Sequence, residues 1–140
     1  MITVRETVSL NSSPSEIWSV IGAFDSLDSW HPGVASSETV QDGTDKIRHL
    51  TLGDGSKIVE RLDSHDDGAR RYIYTILDAG PLPIRNYQST LEVSGNDSGS
   101  TVTWSSEFEA QGASETDAQA AISGVYTAGL AALIETFGAS

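Results

Sequence analysis

Ser114-Glu115-Thr116-Asp117 opens the run SETDAQAAISGVYTAGLAALIETFG, residues 114–138, whose reading decides the fold. A serine followed three residues later by an acidic side chain marks a helix start, and Gly138 marks a stop, so the run predicts a helix of about 20 residues. Its inward stripe is expected to hold Ile122, Val125, Gly129, Leu130, Leu133 and Phe137. Small residues crowd its middle: Ala118, Ala120, Ala121, Gly124, Ala128, Gly129, Ala131 and Ala132. They either let the helix sit close to its neighbour or leave a void beside it.

The rest of the chain reads mostly as strands. Ile2, Val4, Val8 and Leu10 alternate on one face; Glu6 interrupts the row and is read as a solvated strand-end residue. Ser13-Pro14-Ser15-Glu16 is a capping box with proline at the first helical position, heading a short helix that carries Ile17, Trp18, Ile21 and Phe24. A second short helix or turn follows over Asp25 to Trp30, ended by His31-Pro32-Gly33, where His31 is read as a cap in preference to a residue at a cavity mouth. Turn signals then recur at Asp42-Gly43, Gly53-Asp54-Gly55, Asp66-Asp67-Gly68 and Asn96-Asp97-Ser98-Gly99, which demands hairpins and an antiparallel sheet. The order is strand, two short helices, about six strands, long helix. A curved sheet with one apolar face must cover that face, and only the last helix is long enough to do so. The expectation is an α+β fold in one domain over residues 1–140.

Between two strand-like runs, Tyr72 to Leu77 and Tyr87 to Val93, lies Gly80-Pro81-Leu82-Pro83-Ile84-Arg85-Asn86-Tyr87. The two prolines fix their own φ and bias their predecessors away from helix. The result is a stiff apolar loop, suited to roofing an apolar interior.

Two strands carry a charge where the pattern asks for an apolar residue. One face of 46–52 holds Arg48, Leu50 and Leu52; one face of 57–63 holds Ile58, Glu60 and Leu62. If Gly53-Asp54-Gly55 is a three-residue hairpin loop with Gly55 left-handed, Leu50 faces Ile58 and Arg48 faces Glu60. A lone carboxylate on a core face is very costly, so the two are read as a pair, either in a wet cavity or at the sheet margin. Burial raises a carboxylate pKa and an adjacent arginine lowers it; the expectation is that Arg48 keeps Glu60 ionised. The following rows agree: Tyr87, Ser89, Leu91 and Val93 share one side, and Val102, Trp104, Ser106 and Phe108 another. Apolar and aromatic walls with a few fixed polar groups describe a small-molecule site.

Composition narrows the partners. Net charge is −12 with only two lysines, Lys46 and Lys57, which argues against nucleic acid and anionic membranes. The acidity is read as a solubility device. No run approaches the roughly 18 apolar residues of a membrane span. The N-terminus alternates like a strand and not like a signal peptide, so the expected location is cytoplasmic. There is no cysteine, and His31, His49 and His65 lie apart without metal-ligand spacing. No metal and no cofactor are expected.

These segments in this order resemble the polyketide cyclase/dehydrase-like branch of the START/Bet v 1 (SRPBCC) superfamily. The resemblance is carried by SPSEIW (13–18), FDSLDSWHPGV (24–34), IRHLTLGDG (47–55), IVERLDSHDDGARRYIYTIL (58–77), GPLPIRNYQSTLEV (80–93), TVTWSSEF (101–108) and GVYTAGLAAL (124–133). It implies a helix-grip fold, a curved seven-stranded antiparallel sheet around a long C-terminal helix, enclosing a cavity. The chain is also similar to plant abscisic-acid receptors of the same superfamily. By that similarity Gly53-Asp54-Gly55 takes the place of the gate loop, Gly80 to Pro83 that of the latch, and Glu60, Tyr87 and Ser89 match cavity positions. The receptor lysine falls near Ala35 here, and the gate is shorter and differs in sequence, so recognition of that hormone or of its phosphatase partners is not implied.

The resulting expectation is a protein that binds a small hydrophobic or amphipathic ligand, lipid-, polyketide- or hormone-like. Its expected lining is Trp30, Arg48, Leu50, Leu52, Glu60, Leu82, Pro83, Tyr87, Ser89, Trp104, Ser106, Phe108, Val125 and Gly129. The rival is a cyclase/dehydrase-type enzyme in which Glu60 is general base or acid while Tyr87 or Arg48 stabilises an enolate-like oxygen. A third reading is an interaction module working through the gate. No nucleic acid and no membrane insertion are expected, and the chain is read as a monomer or homodimer.

Overall fold

The computed structural model describes residues 1–140. The elements run β1 (Ile2–Leu10), α1 (Pro14–Ile21), α2 (Leu27–Trp30), β2 (Val34–Asp42), β3 (Asp45–Leu52), β4 (Lys57–Asp66), β5 (Arg71–Asp78), β6 (Ile84–Asn96), β7 (Gly99–Ala110) and α3 (Glu115–Phe137). The strands form one seven-stranded sheet in the order β1-β7-β6-β5-β4-β3-β2. Every neighbouring pair is antiparallel. This is the helix-grip architecture: α3 packs on β1 and β7, and α1 and α2 bridge the first two strands in sequence.

Local chemistry sets the helix ends. Ser13 Oγ accepts from the Glu16 N–H at the start of α1, with Pro14 at the first turn. Ser114 Oγ accepts from the Asp117 N–H at 3.1 Å, capping α3. At the far end the Gly138 N–H donates to the Ile134 carbonyl, and Gly138 adopts φ +84. The Asn11 N–H then donates to the Gly138 carbonyl at 3.0 Å, tying the helix end to the end of β1.

Inside the grip lies a core of 26 buried residues, from Ile2 and Leu10 through Trp104 and Phe108 to Leu133. The α3 stripe differs from expectation. Ala118, Ile122, Tyr126, Gly129, Leu130 and Leu133 are buried, while Val125 and Phe137 are only half-buried. Tyr126, one position beyond Val125, is fully buried. Glu6 also differs. It sits mid-strand opposite Trp104, half-buried beside the first turns of α3, because the inward row of β1 continues through it. By length and composition α3, with a mean hydropathy of 1.4, is long and apolar enough to cross a membrane. That corrects the expectation of no such run, which counted unbroken apolar residues.

The small residues of α3 divide into two kinds. A Cβ added to Gly129 would lie 2.7 Å from His31 Cδ2, 3.0 Å from Trp30 Cζ3 and 3.1 Å from Trp104 Cζ3. Glycine there lets α2 and β7 reach the helix backbone. A Cβ on Gly124 would meet nothing. Gly124→Ala should therefore stabilise the fold by about 0.5–1 kcal/mol through helix propensity. Gly129→Ala should destabilise it, since overpacking costs about 1–3 kcal/mol and outweighs that gain. Urea unfolding of both variants checks this; equal stability of the two would refute the close-approach account.

Candidate functional site

The Gly53-Asp54-Gly55 loop sets the register of the charged pair. Gly55 has φ +88, the Gly55 N–H donates to the Leu52 carbonyl at 2.9 Å, and the Leu52 N–H donates to the Ser56 carbonyl at 2.8 Å. Leu50 therefore faces Ile58, and Arg48 faces Glu60, as the sequence indicates. Arg48 is 0% exposed and Glu60 4%. Arg48 Nε donates to Glu60 Oε1 at 2.7 Å. Nη2 lies 2.5 Å from the same oxygen without an aligned N–H, so it adds charge more than a second hydrogen bond. Nη1 donates to the Phe24 carbonyl at 2.9 Å and to Tyr72 Oη at 3.3 Å. The guanidinium also lies 4.0 Å from the Phe24 ring centre and 4.9 Å from that of Tyr74. The pair is thus part of the interior and not of the sheet margin.

Burial pushes the Glu60 carboxyl above its ordinary range, and Arg48 pulls it back only in part. The direction is opposite to the lowering expected from Arg48, although pairing with a fully buried guanidinium keeps the carboxylate charged. Both nitrogens converge on Oε1, so no protein donor reaches Oε2.

Glu60 borders a partly open cavity of about 140 Å³, with the exposed Gly33 at its rim. Leu50, Leu52, Ile58, Tyr74 and Ile76 form its sheet side. Leu27, His31, Gly33 and Val34 close one end, Ile122 and Val125 of α3 form another wall, and Leu82 roofs it from the β5–β6 loop. Tyr87 and Trp104 complete the lining. Ile76, Leu82 and Tyr87 also line an open depression on the outside of that loop, so these three side chains are the partition. Gly80, at φ +56, holds the loop in place; a Cβ there would meet the Lys57 carbonyl oxygen.

Of the expected lining, Leu50, Leu52, Glu60, Leu82, Tyr87, Trp104 and Val125 border the cavity. Trp30, Arg48, Pro83, Ser89, Ser106, Phe108 and Gly129 do not. Arg48 is enclosed by Phe24, Tyr72 and Tyr74. Ser89 is taken up by Tyr126 and the Ser105 carbonyl. Phe108 packs against Tyr87 at 5.9 Å, and Gly129 lies against His31, Trp30 and Trp104. Trp30 and Ser106 are buried, each with a side-chain donor unpartnered within the protein. Pro83 lies half-buried in the loop outside the lining.

Sequence reasoning missed three residues here, Tyr72, Tyr74 and Tyr126, and left His31 as a cap that could touch a cavity mouth. The two β5 tyrosines alternate with Ile73, a period-2 signal. Tyr126 follows Ile122 by four positions and precedes Leu130 by four, a helical signal stronger than that of Val125. Tyr74 and Tyr126, with Trp104, Tyr87 and Ser89, build a one-way hydrogen-bond relay. Trp104 Nε1 donates to Tyr74 Oη at 3.2 Å. Tyr74 Oη lies 3.2 Å from Tyr87 Oη, Tyr87 makes a short hydrogen bond with Tyr126, and Tyr126 Oη lies 2.9 Å from Ser89 Oγ. Ser89 Oγ donates to the Ser105 carbonyl at 2.9 Å. An indole N–H only donates and a carbonyl only accepts, so the direction is fixed from Trp104 to Ser105 and each hydroxyl proton is used once. Burial raises the phenols, Tyr74 and Tyr87 well above their ordinary values and Tyr126 to about 12. All three stay neutral.

His31 is likewise committed. Its Nδ1 accepts from the Gly33 N–H at 3.0 Å, so Nε2 carries the proton and donates to the Val125 carbonyl at 2.7 Å. Burial lowers its pKa. At the end of α2 the residue is a backbone C-cap, as expected, but its ring also forms part of the cavity wall.

Two outcomes follow. Arg48→Met leaves a buried carboxylate uncompensated and should cost about 3–5 kcal/mol, while Arg48→Met with Glu60→Leu should recover much of that loss. Urea unfolding of both variants reads this, and a cheap single variant would place the pair in water. For His31, the unfolded imidazole binds a proton below about pH 6.5 and the folded one resists it, so its contribution to stability falls as pH drops through that region. The stability difference between wild type and His31→Gln should narrow from pH 7.5 to 5.0; a constant difference would refute the buried neutral tautomer.

The fold and this interior can be set beside known proteins. Residues 1–138 match the family described as polyketide cyclase / dehydrase and lipid transport. Among solved structures, the XoxI protein of Bacillus cereus is 35% identical with a TM-score of 0.91, covering 98% of this chain and 96% of that one. A Thermobifida fusca protein is 32% identical with a TM-score of 0.84, covering 99% and 94%. The Zhui aromatase/cyclase of a Streptomyces species shares the fold at a TM-score of 0.74, with 15% identity over 96% of this chain and 89% of that one. No protein of curated function matches. The chain belongs to the polyketide cyclase / dehydrase and lipid transport family.

Proposed function

We propose that the protein binds a small hydrophobic or amphipathic molecule in the cavity between α3 and the sheet. The observation that carries this reading is the semi-enclosed apolar space with one buried carboxylate, Glu60, whose Oε2 has no protein donor. An apolar cavity with a single unmet polar atom is built to hold a molecule in one orientation.

The family description and the raised Glu60 pKa favour a second reading, in which Glu60 acts as a general base. General acid–base catalysis also needs a donor for the developing oxyanion and a route for the proton. Arg48 spends its Nε and Nη1 N–H groups on Glu60, Phe24 and Tyr72 and lies outside the cavity lining, and Tyr87 gives its proton to Tyr126. Both His31 nitrogens are engaged. Binding therefore fits these groups better than multi-step turnover.

A panel of apolar ligands and short polyketide-like substrates, read by thermal shift and turnover together, separates the two. Ligand at a hundred times its Kd should stabilise the fold by about 2.7 kcal/mol, without product. Turnover that vanishes in a folded Glu60→Gln variant would overturn the binding reading.

A further inference from the structure

We propose that the ligand of this cavity is a neutral molecule of about one six-membered ring that donates a hydroxyl hydrogen bond to Glu60 Oε2. The inference rests on the binding reading above and narrows it to a size, a polarity and a charge.

Size comes first. The cavity is about 140 Å³, whereas sites for drug-sized ligands span about 300–1,000 Å³. A buried apolar cavity of about 150 Å³ holds benzene. Polycyclic products and lipid chains exceed this space.

Polarity follows from the relay. The polar side chains bordering the cavity are Glu60, Tyr74, Tyr87, His31 and Trp104, whose Nε1 proton goes to Tyr74. The Tyr74 proton goes to Tyr87, that of Tyr87 to Tyr126, and the Nε2 proton of His31 to the Val125 carbonyl. Nδ1 of His31 is taken by the Gly33 N–H. No proton remains for a ligand carbonyl. What the wall offers is acceptors: phenolic lone pairs and, above all, Glu60 Oε2. A ligand that only accepts would face lone pairs, while a hydroxyl completes the one unmet group.

Charge follows from the pair. A neutral Glu60 would strand the fully buried Arg48 cation without a counter-charge, so the carboxylate is ionised and the pair sums to zero. An added anion would meet Oε2 directly, and an added cation would leave the interior with net charge.

Four probes of graded chemistry test this on the full-length protein: p-cresol, toluene, benzonitrile and 2-naphthol. Binding is followed by backbone amide shifts of Leu82, Tyr87 and Val125. p-Cresol should bind about tenfold or more tightly than toluene or benzonitrile, the scale of a hydrogen bond to a charged group. 2-Naphthol should bind more weakly than p-cresol. In Glu60→Gln the advantage of p-cresol over toluene should shrink; the wild-type comparison stands alone if that variant fails to fold. Toluene or benzonitrile matching p-cresol would overturn the donor assignment while leaving cavity binding intact. Tighter binding of 2-naphthol would overturn the size. Failure of all four to perturb the cavity would overturn this proposal and the binding reading beneath it.

Discussion

A guanidinium with no exposed surface is the constraint around which this interior is organised. Removing such a charge from water costs several kcal/mol even after relaxation, and a counter-charge with further hydrogen bonds must repay it. Arg48 obtains that pairing from separate parts of the chain: a carboxylate on β4, a carbonyl just after α1, a phenol on β5 and the ring faces of Phe24 and Tyr74. Each partner fixes an element relative to β3. The short Gly53-Asp54-Gly55 loop matters for the same reason. A slip of one residue there would turn Glu60 to the outside and leave Arg48 buried alone.

The carboxylate that stabilises Arg48 also links the structural interior to the cavity. One of its oxygens neutralises the guanidinium and the other is left over. Beside it the tyrosines of β5, β6 and α3 satisfy one another and end on a strand carbonyl, so this polar group of side chains stays folded without water. Trp104 stacks on Tyr126 at 4.4 Å and donates at the head of the same relay. Packing and hydrogen bonding here are carried by the same rings.

Much of this was legible in the sequence. The caps at Ser13 and Ser114, the hairpin turns and the Arg48–Glu60 register follow from local rules that act within a few residues. The inward row of β7 was legible because strand alternation is strict. What could not be read has a common cause. Adjacent helix positions differ by only 100° or so, so Val125 and Tyr126 compete for one stripe until the sheet decides. The size of the cavity depends on how far Leu82 and Trp104 reach across it, which no single strand encodes. His31 lay in a terminating turn, and only the close approach at Gly129 brings its ring to the helix.

The sheet order has a consequence for how the chain is made. Strands β2 to β7 join neighbours in sequence and can zip as successive hairpins. β1 pairs only with β7, Ile2 meeting Phe108 and Leu10 meeting Ser100. A ribosome therefore delivers the first strand long before its partner exists. Until β7 emerges, the apolar row Ile2, Val4, Val8 and Leu10 has no sheet edge of its own to join. Closing that long loop is entropically expensive. In the meantime the unpaired β1 is an exposed apolar strand edge, the kind of segment that invites pairing with another chain.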